Sequence, residues 1–169
     1  MSAASDSALV LRPATTDDAA PMRAIYNVEV ERYTSTFDIV PRSLDDQRRW
    51  LADRSGAFAA VVAEREGAVV GFGALSPYKE RAAYRPTVED SVYVDRQQAR
   101  RGIGRALLMH TIDVARQHGF HSVMARIEAT TVPSIKLHEA CGFEIVGTER
   151  EVGRKFGKWL DVVSMQLML

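Results

Sequence analysis

The sequence predicts a single α/β domain built on a mixed sheet. Three observations carry this. The chain has 169 residues, of which 46% are hydrophobic, enough for one core and too many for disorder. Its periodicity switches repeatedly between two and 3.6 residues, giving the order β, α, α, β, β, β, α, β, α, β, β. A basic, glycine-containing turn joins a strand to a helix near the middle of the chain.

Residues 1–8 read as a flexible tail with no basic flank and no apolar run of an export signal, and residues 9–169 as the domain. Leu9 to Arg12 is a short strand. Thr15-Thr16-Asp17-Asp18 then opens a helix, because a Thr cap and early acids satisfy free N–H groups and match the dipole. Met22, Ile25, Tyr26 and Glu29 carry that helix to about Arg32. Ser43-Leu44-Asp45-Asp46 is a second capping signal, followed by Gln47, Trp50 and Leu51 at helical spacing.

Ala57 to Ala63 reads as a strand, Glu66-Gly67 as a turn and Ala68 to Leu75 as the partner strand of a hairpin. A polar loop spans Ser76 to Pro86. Thr87 to Val94 alternates, with Val88, Asp90, Val92 and Val94 on one face and Glu89, Ser91 and Tyr93 on the other. After Gly102-Ile103-Gly104, an amphipathic helix carries Ile103, Leu107, Leu108, Ile112 and Ala115 to a cap at Gly119. Ser122 to Ile127 is a strand, and Pro133 suits the first turn of a helix closed by Gly142. Glu144 to Thr148 and Leu160 to Leu169 complete the sheet.

Lys+Arg and Asp+Glu both number 22, so the chain lacks the basic excess of nucleic-acid binders and of proteins held on acidic membranes. No run approaches the roughly 18 apolar residues of a membrane helix. Cys141 is the one cysteine, which leaves no intrachain disulfide and no cysteine-based zinc site. No metal is expected, and a reducing cytoplasm fits.

The chemistry concentrates at Val92-Tyr93-Val94-Asp95-Arg96-Gln97-Gln98-Ala99-Arg100-Arg101-Gly102-Ile103-Gly104-Arg105. A strand that turns into a helix through such a segment converges backbone N–H groups on one point, and the helix dipole adds positive potential. A diphosphate is the natural guest. It is not a Rossmann fingerprint, since Leu107 stands where the third glycine belongs, and no G-K-[ST] of a P-loop occurs.

Arg100 to Arg105 resembles the pyrophosphate-binding motif of GCN5-related N-acetyltransferases. Ser134-Ile135-Lys136-Leu137-His138-Glu139-Ala140-Cys141-Gly142-Phe143 resembles that superfamily's second conserved segment, at the expected separation. A narrower resemblance, to the phosphinothricin and methionine sulfoximine acetyltransferases, rests on Thr87 to Val94, on Leu137-His138-Glu139 and on Gly153-Arg154-Lys155-Phe156-Gly157-Lys158-Trp159-Leu160-Asp161. Ser76-Pro77-Tyr78-Lys79 and the segment from Tyr33 to Phe37 agree with it. The chain departs from the superfamily at Ala99, usually Gln or Arg, and at Thr131, often Asn, whose shorter side chain implies a weaker grip on pantetheine.

The resemblance implies acetyl-CoA as co-substrate, direct acetyl transfer to an amine, and a strand at Val92 to Val94 that splays from its neighbour so that pantetheine fills the gap. Val92, Tyr93, Val94, Arg100, Arg101, Gly102, Ile103, Gly104, Arg105, Thr131 and Ser134 are then expected to hold the cofactor, with a backbone N–H near Tyr93 or Val94 facing the oxyanion. Glu89, a carboxylate in a mostly apolar strand, is the expected general base, and His138 the group beside the leaving thiolate. His110, His118 and His121 read as surface or cap residues, and Cys141 as a small core residue. The implied acceptor is a small amino-acid-like molecule of the methionine sulfoximine, methionine sulfone or phosphinothricin type. Lys79 and Arg81 are expected to clamp its acid groups, with Glu80, Asp90 and Ser91 nearby and Phe37 and Tyr84 as apolar walls. A homodimer is implied as well. The alternatives are another amine (a protein N-terminus, an aminoglycoside or a polyamine) and a non-catalytic acyl-CoA sensor.

Overall fold

The computed structural model describes residues 8–169, so the expected tail lies outside the described residues except for Ala8. The strands are β1 (Val10–Pro13), β2 (Val61–Arg65), β3 (Ala68–Pro77), β4 (Thr87–Val94), β5 (Ser122–Glu128), β6 (Glu144–Lys155) and β7 (Lys158–Met168). The helices are α1 (Ala19–Arg32), α2 (Leu44–Ala52), α3 (Ile103–Gln117) and α4 (Val132–Ala140). The seven strands form one sheet in the order β1-β2-β3-β4-β5-β7-β6. Every neighbouring pair is antiparallel except β4 and β5, which run parallel.

Helix α1 packs on one face, where Met22, Tyr26 and Val30 meet Val62, Phe72 and Ala74, with Trp50 of α2 against them. Helix α3 packs on the other, where Leu108, Ile112 and Ala115 meet Leu75, Val88, Val123, Ala125 and Met165. The alternation read in the sequence of β4 is therefore a division between an α3-side face, buried at Val88 and Asp90, and a half-buried α1-side face. Val88 belongs to the α3 side, while Tyr93 packs edge-on against Tyr26 at 5.0 Å between ring centroids on the α1 side.

Helix and strand boundaries shift where side chains override the local pattern. Thr15 and Asp18 do bond to one another (Thr15 N–H to Asp18 Oδ2, 2.7 Å), and Arg12 adds a two-pronged salt bridge to Asp18. They close a 3-10 turn at Thr16–Asp18, and the α-helix proper begins at Ala19. The expected strand from Ala57 begins only at Val61. Gly56–Phe58 forms a 3-10 turn instead, with Phe58 against Phe120 and its carbonyl taken by Arg54. At Glu66-Gly67 both residues have positive φ, the twist a two-residue hairpin requires.

The strand expected at Glu144 to Thr148 runs on to Lys155. It is the sheet edge and mostly exposed, so it carries no apolar alternation to reveal its length. Among the described residues no helix is long and apolar enough to cross a membrane, and no three His, Cys, Asp or Glu side chains are grouped to share a metal ion.

Strands β4 and β5 pair at Thr87–Ser122, Val88–Val123 and Glu89–Met124 and then part. Beyond Glu89 both strands continue, but no longer as neighbours.

Candidate active site

A cavity of about 620 Å³ occupies the split between β4 and β5. Its first wall is the edge of β4. The Asp95 N–H donates to the Val70 carbonyl at 2.9 Å, and Tyr93 lies opposite Phe72. Backbone groups alternate in direction along a strand, so the Tyr93 amide is committed to β3 while those of Val92 and Val94 face the split. Of the two amides expected near an oxyanion, Val94 is the one available. The Tyr93 ring packs against Tyr26 and Phe72 at the margin of the core and still lines the cavity, and desolvation of its hydroxyl pushes its pKa up.

The second wall is the basic turn. Arg100 and Gly102 both have positive φ, 63° and 77°, and the turn feeds straight into α3. No side chain caps the helix and no acid lies in its first turn. The amides of Ile103, Gly104 and Arg105 are left with no intrahelical partner, at the positive end of the dipole. Ala99, Arg100, Gly102, Ile103, Gly104 and Arg105 all line the cavity. Arg101 does not; its guanidinium turns out to the Gln98 amide oxygen at 3.0 Å. Gly104 serves packing, since a Cβ there would meet Leu137 Cδ2 at 3.2 Å and hold α3 away from α4. Arg105 reaches the Cys141 thiol, which burial nevertheless keeps above its ordinary pKa.

The third wall is formed by the end of β5 and by α4, with Thr131, Ser134 and His138 at the surface of the cavity. Glu128 is almost fully buried and accepts hydrogen bonds from Thr34 Oγ1 (2.8 Å), Thr130 N (3.0 Å), Thr130 Oγ1 (2.6 Å) and Thr131 Oγ1 (3.3 Å). Burial alone would raise its pKa, but these donors outweigh it and hold the carboxyl below the usual range. The Thr131 hydroxyl is thus occupied in fixing the start of α4.

His138 is buried. Its Nδ1 lies 2.7 Å from the Ser134 carbonyl, an acceptor only, so Nδ1 carries a proton. Its Nε2 lies 3.2 Å from Asp90 Oδ2. Burial pulls the imidazole pKa down, but the Asp90 carboxylate and the Ser134 carbonyl together more than reverse this, leaving it above its ordinary value. The second Asp90 oxygen, Oδ1, is buried with no hydrogen-bond partner among the described residues.

The fourth wall lies on the α1 side of the sheet. Glu89 and Ser91 line the cavity there, opposite to Asp90 and His138. The Glu89 carboxylate makes no hydrogen bond among the described residues. Burial raises its pKa; Arg126 opposes this, while Asp90 and Glu149 add to it, and the net shift is upward. Phe37 closes this side, its ring seated on Gly153 of β6, where a Cβ would fall 2.2 Å from Phe37 Cε2. The segment bearing Phe37 is fastened at several points: Tyr26 donates to Asp38 Oδ2 (2.6 Å), the buried Lys155 ammonium to the Thr36 carbonyl (2.8 Å), and Ser35 to Glu29.

Lys79, Glu80, Arg81 and Tyr84, expected at the acceptor, do not line the cavity. Their loop precedes β4 at the end where β4 and β5 are still paired, and the split opens in the other direction. Lys79 instead rests over the Tyr78 and Tyr84 rings, 4.7 and 5.0 Å from their centroids. Conversely, Arg96, Arg126 and Glu128 line the cavity without having been singled out in the sequence. The signal that marks Glu89, a charge inside an apolar strand, is present at Arg126 too.

Residues 11–164 match the acetyltransferase (GNAT) domain family. The chain is 37% identical over 161 residues to an L-methionine sulfoximine/L-methionine sulfone acetyltransferase of Pseudomonas aeruginosa, covering 94% of each. Among solved structures, it superposes with a TM-score of 0.92 and 40% identity on a ribosomal-protein-alanine N-acetyltransferase from Brucella melitensis, covering 95% of this chain and 99% of that one. It also matches a phosphinothricin acetyltransferase from Sinorhizobium meliloti in complex with acetyl-CoA, at a TM-score of 0.91 and 35% identity, covering 95% of this chain and 88% of that one.

Proposed function

This chain belongs to the acetyltransferase (GNAT) domain family, and from that premise we propose that it transfers the acetyl group of acetyl-CoA to the α-amino group of a small amino-acid-like acceptor of the methionine sulfoximine, methionine sulfone or phosphinothricin type. The observation that carries the proposal is the split at Glu89, with a free carboxylate on one face of the sheet and the His138–Asp90 pair on the other. Acetyl-CoA supplies the acyl group as a thioester. Val92 and Val94 offer a strand edge to the pantetheine amides, as in strand addition. The free amides from Ile103 to Arg105, with Arg100 and Arg105, suit the diphosphate.

This arrangement supports direct transfer. An α-ammonium titrates at about 8 in a peptide and higher in a free amino acid, so most of it is protonated at neutral pH and cannot attack. Glu89 takes that proton on the acceptor side, and the second proton, shed by the nitrogen as the tetrahedral adduct collapses to the amide, passes to water. The Val94 amide donates to the oxyanion as it forms. His138, on the other side of the split, passes its Nε2 proton out of the hydrogen bond with Asp90 to the departing sulfur as the thiolate forms. The family resemblance also supports a cytoplasmic homodimer, and the exposed Ile145, Val146, Val152, Phe156 and Trp159 of the β6–β7 hairpin offer apolar surface to a second copy.

The test is thiol release from acetyl-CoA against a panel of amino acids, sulfoximines, polyamines, aminoglycosides and peptides, alongside calorimetry with CoA. Rapid release with methionine sulfone or phosphinothricin is expected. Release only with a peptide or polyamine would move the acceptor to another amine class, and CoA binding without release would make the chain a sensor. Absence of CoA binding at millimolar ligand would end the acyl-transfer reading. Gly153→Ala should raise the acceptor KM several-fold and leave the acetyl-CoA KM unchanged, because the new Cβ displaces the Phe37 ring. Steady-state kinetics with each substrate varied in turn checks this.

A further inference from the structure

We infer that Arg126 receives the carboxylate of the acceptor, so that an α-amino acid lies across the split with its amine on Glu89 and its acid group on this guanidinium. The inference rests on the acetyl-transfer reading and names the recognition element of that site. Glu89 stands opposite Met124 in the last paired rung of β4 and β5. Side chains alternate along a strand, so Arg126, two residues beyond Met124, shares the face of Glu89 at the point where the strands part. Both residues line the cavity. An α-amino acid carries its amine and its carboxylate on one carbon, which asks for a base and a cation side by side.

Four arginines line this cavity: Arg96, Arg100, Arg105 and Arg126. Arg96 is locked to Glu29 by two 2.8 Å hydrogen bonds and lies 3.3 Å over the Tyr33 ring. Arg100 and Arg105 belong to the turn at the start of α3, where the diphosphate is accommodated. Arg126 remains. Its sole hydrogen-bond partner among the described residues is Glu149, reached by Nη2 alone at 3.2 Å to each carboxylate oxygen, so Nε and Nη1 are uncommitted. Both members are about two-fifths exposed (41% and 44%), and exposed pairs of this kind contribute little. Exchanging Glu149 for a substrate carboxylate that accepts two parallel N–H donors is therefore favourable. Glu149 keeps a partner in the Ser164 hydroxyl at 3.3 Å.

The test compares methionine sulfone with its carboxamide in the wild type, Arg126→Gln and Arg126→Lys, by thiol release from acetyl-CoA. The wild type should favour the acid on the order of 10-fold to 100-fold in kcat/KM, the range of a charge-assisted pair. Arg126→Gln should collapse that preference by raising the KM for the acid, with the acetyl-CoA KM held, and Arg126→Lys should restore part of it. A preference that survives Arg126→Gln, or one absent from the wild type, overturns the inference. So does an Arg126→Gln variant that only moves the pH profile of both substrates together, since Arg126 would then merely tune Glu89. If no acceptor releases thiol, the reading of the reaction fails. Calorimetric titration of methionine sulfone into the CoA-loaded protein then still decides Arg126, which should bind it at least about tenfold more weakly as glutamine.

Discussion

Replacing Glu89 by glutamine should lower kcat by about 10²–10⁴-fold while leaving the affinity for CoA unchanged, the magnitude typical of a lost general base. Glutamine keeps the size and polarity of the side chain, so the cavity wall stays intact. The pH dependence is the sharper signature. Wild-type turnover should fall as pH drops through the raised pKa of Glu89, because the protonated carboxyl no longer accepts a proton. In Glu89→Gln that limb disappears and only the ionisation of the acceptor amine remains. A variant with the wild-type rate and profile would take Glu89 out of the chemistry.

The same substitution should stabilise the protein. Burial raises the folded-state pKa of Glu89 above its unfolded value, so the folded chain holds the proton more tightly. Ionising this group then disfavours the folded state, and the wild type loses stability relative to Glu89→Gln as pH climbs from the ordinary carboxylate range through the raised value. Melting curves should show no advantage for the variant at low pH and the full advantage at pH 8. A more stable but inactive variant is the expected trade-off at a strained functional group.

His138→Ala should be strongly destabilising at pH 6. It leaves the Asp90 carboxylate, already short of one partner, buried with none from the imidazole. Removing one member of a buried ion pair typically costs about 3–5 kcal/mol. For a chain of this size, that lowers Tm on the order of 10 °C. Because the folded-state pKa of His138 lies above its unfolded value, its contribution is complete below the unfolded value of about 6.5 and fades as pH rises through the folded one. The gap between wild type and variant should therefore narrow by pH 9. The double variant Asp90→Asn, His138→Ala removes both charges and should recover much of the loss. Recovered stability with turnover still slow would assign the proton donation to His138; turnover restored with stability would make the pair structural.

Much of the fold was legible because local chemistry repeats along the chain. The alternation of Thr87–Val94, the Ser43–Asp46 cap and the Glu66-Gly67 turn each report on residues that touch near neighbours. The turn from Arg100 to Arg105 belongs to the same class, since successive amides converge through their own backbone angles. The exposed edge strand β6 was half hidden, because solvent imposes no pattern on it. The loop with Lys79 and Arg81 lies off the cavity for a related reason: nearness to β4 in sequence says nothing about which end of the strand opens.

The sequence by itself determined the order of the elements, the basic glycine-containing turn and the isolated charge at Glu89, because each depends on side-chain type and spacing within a few residues. Only the tertiary structure decided where β4 and β5 part, that Asp90 meets His138 across 48 residues, and that Arg126 rather than Lys79 faces the cavity. Those are contacts between distant segments, and they are set by the packing of two helices on each side of the sheet, which no local pattern records.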